Sequence, residues 1–267
     1  MAERNIPQII TDYKRDGYVG GVPLLSESEV LQHRGALEDA EANFGEMHYR
    51  SKVYTIHRSP LALATLPSVL DIVEAMIGPN ILLYNATYII KEPQAPSFVS
   101  WHQDLTYWGL SSDDQVTMWL ALSPANEKSG CMRMIPGSHK GGMHHHQETN
   151  DDDNVLLQGQ TVHGIDESQA RLCPLAAGEA SFHHGWTLHA SLPNHSDDRR
   201  IGLNVQYLAT SVRQTKHDLD TALLVRGVDE YHHFEADLPA RRDLHKDDIE
   251  RQRLLEERYN LIAGTRN

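Results

Sequence analysis

Cysteine is scarce in this chain. Only Cys131 and Cys173 occur, without metal-ligand spacing and without the density of a disulfide scaffold. Positive charge is short as well: 24 Lys and Arg stand against 37 Asp and Glu, a formal net charge of −13 over 267 residues. Such a chain repels phosphate backbones at long range, so nucleic acid is not expected as substrate or partner, although a local basic pocket for a small anion is still allowed. Long hydrophobic runs are missing. The longest, about Ile81 to Ile90, is interrupted by Asn85 and Thr87 and falls far short of a membrane span. The opening MAERNIPQII has no apolar core behind a basic start, so no signal peptide is read there. No Pro/Gly/Ser-rich linker and no internal repeat divides the sequence, and the length suffices for a full hydrophobic core, so one domain over residues 1–267 is expected. These absences describe a soluble, cytoplasmic protein with no membrane partner.

What is present begins with helices. Ile6, Ile9, Ile10 and Tyr13 keep a helical spacing up to Gly17. Ser26 and Glu29 form a capping-box signature before a charged amphipathic stretch to about Phe44. Leu63, Leu66, Leu70, Val73 and Ile77 line one side of a third helix, read from Pro60 to Ile77 and ended by Gly78-Pro79. After about residue 80 the period changes. Ile81 to Lys91 alternates, with Asn85, Thr87, Ile89 and Lys91 on one face. Further short strands are expected at Phe98 to Asp104, Gln115 to Leu122, Cys131 to Ile135, Ala180 to His184 and Ile201 to Thr210, separated by turn-rich segments such as SPANEKSG and PGSHKGG. Helices followed by many short strands suggest a mainly β fold, an antiparallel double-sheet barrel with helices outside it. The parts are a helical segment over about 1–80, the barrel over about 81–210 and an extension over 211–267. Asn150 to Gln160 reads as an acidic loop, and about Asp237 to Arg253 as a solvated charged helix.

Seventeen histidines against two cysteines favour nitrogen/oxygen chemistry for any metal. In Trp101-His102-Gln103-Asp104, residues two apart on a strand share a face, so His102 and Asp104 can bind one ion from one side. His189, inside FHHGWTLHASLPN, is a third candidate. Two imidazoles and one carboxylate make a facial triad that leaves positions open, the set associated with Fe(II) oxygenases. His183 shares strand parity with His189 and is a rival ligand. Eleven residues after His189 comes Arg200, behind the turn-rich NHSDDR. Its planar guanidinium suits the far carboxylate of a dicarboxylate co-substrate, and Ser191, on the face of His189, can add a hydroxyl. Arg199 competes for that role; parity with Gly202 and Asn204 selects Arg200.

The runs WHQDLTYW, MWLALSPANEKSGCMRMIPGSHK and GEASFHHGWTLHASLPNHSDDRRIGLNVQY resemble the phytanoyl-CoA dioxygenase family, over about Lys52 to Tyr207. The resemblance implies a double-stranded β-helix (jelly-roll, cupin-like) core, Fe(II), O2, and 2-oxoglutarate decarboxylated to succinate and CO2. It implies metal-ligand roles for His102, Asp104 and His189, selecting His189 over His183, and 2-oxoglutarate binding by Arg200 and Ser191. It also implies co-substrate contacts for Asn85, Thr87 and Trp119, and for Lys52, which matches a co-substrate lysine of some members. Members that bind a halide replace the acidic ligand with a small residue; Asp104 departs from that pattern and favours hydroxylation. The long acyl-CoA substrate of the family name is not required by the resemblance, and no basic cluster suits its phosphates. A small polar metabolite, such as an amino-acid derivative, a phosphonate or a natural-product intermediate, is expected instead. The alternatives are desaturation, cyclisation or epimerisation at the same iron, or a non-catalytic 2-oxoglutarate sensor.

Other residues stand beside ordinary explanations. Gln103, Tyr107 and Trp108 are candidate substrate contacts, and Trp108 equally suits a core position. His144-His145-His146 reads as a solvated loop rimming the site rather than a metal tract. Arg226 and His233 read as surface groups by default.

Overall fold

The N-terminal helices begin and end where the sequence supplies caps. In the computed structural model, which describes residues 5–149, 151, 153–156 and 161–264, Asn5 accepts the Gln8 N–H at the start of α1 (Ile6–Asp16), and Gly17, at φ 81°, ends it. Strand β1 (Tyr18–Pro23) follows. The capping box of Ser26 and Glu29 opens α2 (Glu27–Phe44). The single helix read over Pro60 to Ile77 is two, α3 (Arg58–Ala64) and α4 (Pro67–Ile77). Pro67 cannot donate a helical hydrogen bond and pushes Leu66 out of helical geometry, to φ −54° and ψ 130°.

The strands form two sheets. The larger contains β1, β2 (Ile81–Lys91), β4 (Gln115–Ala121), β7 (Glu179–His183), β9 (Arg200–Ala209), β10 (Thr221–Arg226) and β11 (Glu235–Ala236), in the order β1-β7-β4-β9-β2-β10-β11. The smaller contains β3 (Val99–His102), β5 (Met132–Met134), β6 (Arg171–Cys173) and β8 (His189–Ser191), in the order β3-β8-β5-β6. All pairings are antiparallel except β10 with β11. This is the jelly-roll core with flanking helices. It reaches past the expected 81–210, because β1 pairs with β7, and β10 with β2.

Strand alternation sorts the two faces of the larger sheet. Val116, Met118 and Leu120 of β4 and Leu203, Val205 and Tyr207 of β9 pack outward into one core with Ile9, Leu37, Leu63 and Val73 of the helices. The intervening Thr117, Trp119, Arg200, Asn204 and Gln206 turn inward. Among the described residues no single helix is long and apolar enough to cross a membrane. The tail is helical, α6 (Lys246–Ala263), and not merely solvated: Gln252, Leu255, Tyr259 and Ile262 are buried. Part of the expected 150–160 loop lies outside the described residues; within it, Asn154 Nδ2 donates to Ser100 Oγ.

Candidate active site

His102 ends β3 and His189 begins β8, and the two are cross-strand partners. Asp104 reaches them differently from the strand-parity expectation. It has left the strand, with φ −59° and ψ −45°, and sits at the head of the single helical turn α5 (Leu105–Trp108). The turn, rather than alternation, brings its carboxylate to the imidazoles. Asp104 Oδ1 lies 3.4 Å from His102 Nε2 and 3.7 Å from His189 Nε2. The three ligand atoms of His102, Asp104 and His189 fall within 4.8 Å of one another.

Neighbouring groups hold each donor in its metal-ready form. His102 Nδ1 donates to Ser100 O at 2.9 Å, and His189 Nδ1 to Thr187 O at 3.0 Å, so both Nε2 lone pairs point at the shared centre. Asp104 Oδ2 accepts from Thr117 Oγ1 at 3.0 Å and from His183 Nε2 at 3.1 Å, which leaves Oδ1 to face the imidazoles. Gln115 Nε2 in turn donates to Thr117 Oγ1 at 2.8 Å. His183 therefore orients the carboxylate, and it is not part of the His102, Asp104 and His189 cluster. Burial alone would raise the Asp104 carboxyl, but its contacts with His189, His102 and His183 outweigh burial and hold it well below the usual carboxylate range. Burial drives His189 well below the ordinary imidazole value. An ionised carboxylate beside a neutral imidazole is the charge state that metal ligation requires.

A cavity of about 460 Å³ opens from these residues. Asn85, Thr87, Trp119, Ser191 and Arg200 line it, and so do Tyr107 and Trp108. Arg200 is buried: Nη1 donates to Gly130 O at 3.1 Å, its guanidinium carbon lies 5.1 Å from the Trp119 ring centroid, and Nε and Nη2 have no partner among the described residues. Burial lowers its pKa only to about 10, so it stays a cation at neutral pH. Gly130, at φ 70°, is needed here because a Cβ would meet Leu192 O at 2.1 Å. Arg199 points away and pairs with Glu41 and Glu92 on the surface.

Two expected contacts are corrected. Lys52 does not line the cavity; its ammonium is buried and donates to Tyr84 O, Thr221 O and Asp237 Oδ2. Gln103 is also buried away from it. Its amide ties loops together, donating to Gly142 O and Trp186 O and accepting from His144 N. The rim histidines are partly structural, since His146 Nε2 accepts the Gln103 N–H. Arg226 pairs with Asp71 and Glu74 on the surface, and His233 is exposed and stacks on Tyr231.

Sequence reasoning missed part of the wall. Gln206 and Asn204 line it from β9, Arg50 from the segment before α3, and Glu256, Tyr259 and Asn260 from α6. For the β9 pair and Thr117, the polar inward parity of Gln115, Thr117, Asn204 and Gln206 was a usable signal. For α6 there was none, because a charged helix reads as solvated until its partner is known.

The phytanoyl-CoA dioxygenase (PhyH) family model matches residues 13–202. A probable alpha-ketoglutarate-dependent hypophosphite dioxygenase of Stutzerimonas stutzeri is 33% identical over 150 residues, covering 55% of this chain and 52% of that protein. The peroxisomal phytanoyl-CoA dioxygenase of Homo sapiens is 28% identical over 150 residues, covering 54% and 44%. The chain thus spans about half the length of these relatives. Among solved structures, the apo form of ThoJ, a non-heme monooxygenase, superposes with a TM-score of 0.81 at 26% identity, covering 94% of this chain and 96% of that one. The epimerase SnoN, in complex with Fe3+, alpha ketoglutarate and nogalamycin RO, superposes at 0.66 with 20% identity over 89% and 96%, a likeness of fold.

Proposed function

Because the chain belongs to the phytanoyl-CoA dioxygenase family, we propose that it is an Fe(II)- and 2-oxoglutarate-dependent dioxygenase that hydroxylates an unactivated C–H bond of a small polar metabolite, with release of succinate and CO2. The observation that carries this reading is a pairing within one cavity. A His-Asp-His donor set shares it with a buried arginine whose Nε and Nη2 have no partner among the described residues. A buried cationic donor without a partner is costly, and the far carboxylate of 2-oxoglutarate offers the planar two-bond match. The residues therefore fit both groups.

His102, Asp104 and His189 would hold the iron, with Asp104 kept to one ligating oxygen by Thr117 and His183. When bound, iron, 2-oxoglutarate and O2 together supply the oxidising chemistry that breaks the C–H bond. Arg200 orients the co-substrate, with Trp119 fixing the guanidinium plane. Tyr107 has a buried hydroxyl with no partner among the described residues and lies beside His102, their ring centroids 6.3 Å apart, so it is placed to hold substrate near the reacting centre. Glu46, Arg50 and Glu256 put both charge signs on the cavity wall, which supports a small polar substrate over the poly-anionic CoA thioester. Asp104 occupies the ligand position that a bound halide would need, so halogenation is outside the proposal.

The test is succinate formation by the Fe(II)-loaded protein on a panel of small polar metabolites, with iron content and 2-oxoglutarate decarboxylation followed in parallel. His102→Ala, Asp104→Ala and His189→Ala are each expected to abolish turnover while remaining folded. Full activity in the His189→Ala protein would refute the ligand assignment.

A further inference from the structure

Lys91 closes the β2–β9 ladder directly opposite Arg200. Both side chains are buried, and among the described residues neither is paired with a carboxylate. Two neighbouring buried cations are unfavourable through desolvation and mutual repulsion, and a bound dianion supplies the missing charge. The surroundings of Lys91 Nζ are specific: Ser191 Oγ at 2.8 Å, Leu192 O at 2.5 Å and Ser191 O at 3.4 Å. A protonated amine has three N–H donors and no acceptor, which matches these three oxygens. Ser191 Oγ then accepts from Lys91, and its own proton is free to point into the cavity that Ser191 and Arg200 line together. A neutral amine has a lone pair, which takes that hydroxyl proton instead.

We propose that Lys91, Ser191 and Arg200 form one anion-holding unit in which Lys91 is a positioning residue: its protonation turns the Ser191 hydroxyl toward the far carboxylate of 2-oxoglutarate, so co-substrate binding takes up a proton. This rests on reading the cavity as a 2-oxoglutarate site. The ionisable groups facing Lys91 are the Arg200 guanidinium from β9 and the Cys131 thiol from the turn before β5; Ser191 and Leu192 contribute a hydroxyl and carbonyls. Burial, and then the Arg200 charge, lowers Lys91 to about 6, and burial raises the Cys131 thiol. Without co-substrate, Lys91 is therefore mostly neutral at pH 7, and an arriving carboxylate raises its pKa. The protonated form is the binding form, so affinity is level below about pH 6 and falls as pH rises, approaching tenfold per unit until the bound-state pKa is passed.

The experiment is calorimetric titration of 2-oxoglutarate into anaerobic Fe(II)-loaded protein at pH 8, in two buffers of different ionisation enthalpy. Wild type is expected to take up close to one proton per 2-oxoglutarate. Lys91→Met is expected to take up none and to bind about tenfold more weakly, as for loss of a charge-assisted hydrogen bond, with iron affinity unchanged. Lys91→Gln serves if the Met variant does not fold. Wild-type binding without proton uptake, or the same uptake in the Lys91 variants, overturns the inference. A wild type that binds iron but no 2-oxoglutarate overturns the functional reading itself, and this inference with it.

Discussion

Arg199 and Arg200 are sequence neighbours with opposite surroundings. Arg199 meets Glu41 and Glu92 at the surface, while Arg200 is buried over Trp119 with two nitrogens unpartnered among the described residues. Truncating a buried, hydrogen-bonded charge whose partner stays in place costs roughly 2–5 kcal/mol. Arg200→Ala should therefore raise the 2-oxoglutarate dissociation constant about thirtyfold or more, with iron affinity nearly unchanged. Arg200→Lys should recover little, because a point charge lacks the planar two-bond grip. Arg199→Ala should leave co-substrate binding intact, since its side chain is held by Glu41 and Glu92 and does not line the cavity. Following the charge-transfer absorption of the anaerobic Fe(II) protein during a 2-oxoglutarate titration separates these outcomes. Loss of binding in Arg199→Ala alone would contradict the register of β9.

At the scale of elements, β4 and β9 carry much of the site, and Gly202 shows how tightly they fit. A Cβ there would lie 1.9 Å from Trp119 Cζ2, so the indole can lie beneath Arg200 only because residue 202 has no side chain. Gly202→Ala should cost about 1–3 kcal/mol through overpacking and weaken 2-oxoglutarate binding by displacing Trp119. Thermal melting and co-substrate titration check both effects; an unchanged melting temperature with unchanged affinity would show that the indole has room to move. The same two strands mark where the sequence was legible. The apolar parity of Val116, Met118 and Leu120 against the polar parity of Gln115 and Thr117 identifies which face turns toward the cavity, and Ser26 with Glu29 identifies the start of α2. Three-residue strands such as β6 and β8 are too short for a period to be counted. Pro67 divides an apolar stripe that is continuous in spacing. Tyr259 and Glu256 join the site only through the docking of α6, where Gln252 Nε2 donates to Ser51 O and Glu256 Oε1 accepts the Ser51 N–H. That contact spans some two hundred positions, and no local pattern encodes it.

At the scale of the whole molecule, Lys52 joins distant parts of the chain. Its ammonium donates to Tyr84 O of β2 at 2.8 Å, to Thr221 O of β10 at 2.8 Å and to Asp237 Oδ2 at 2.9 Å. The Tyr54 hydroxyl also donates to that carboxylate oxygen, and the side chains of Lys52 and Asp237 are both buried. The family resemblance suggested co-substrate binding for Lys52; the geometry makes it a clamp between the N-terminal segment, the sheet and the C-terminal extension. The two roles predict opposite results. Removing one member of a buried ion pair strands the other, which costs roughly 3–5 kcal/mol. Lys52→Met should therefore lower the melting temperature markedly, by about 2–4 °C per kcal/mol in a protein of this size. Adding Asp237→Asn should restore much of the loss, because no uncompensated charge is then left buried and Tyr54 keeps an acceptor. Throughout the series the 2-oxoglutarate dissociation constant should stay within a few-fold of wild type, since Lys52 does not line the cavity and all its donors are occupied. A Lys52→Met protein with an unchanged melting temperature and co-substrate affinity weakened tenfold or more would return Lys52 to the binding site, and would mean that the ammonium leaves Asp237 when the co-substrate arrives.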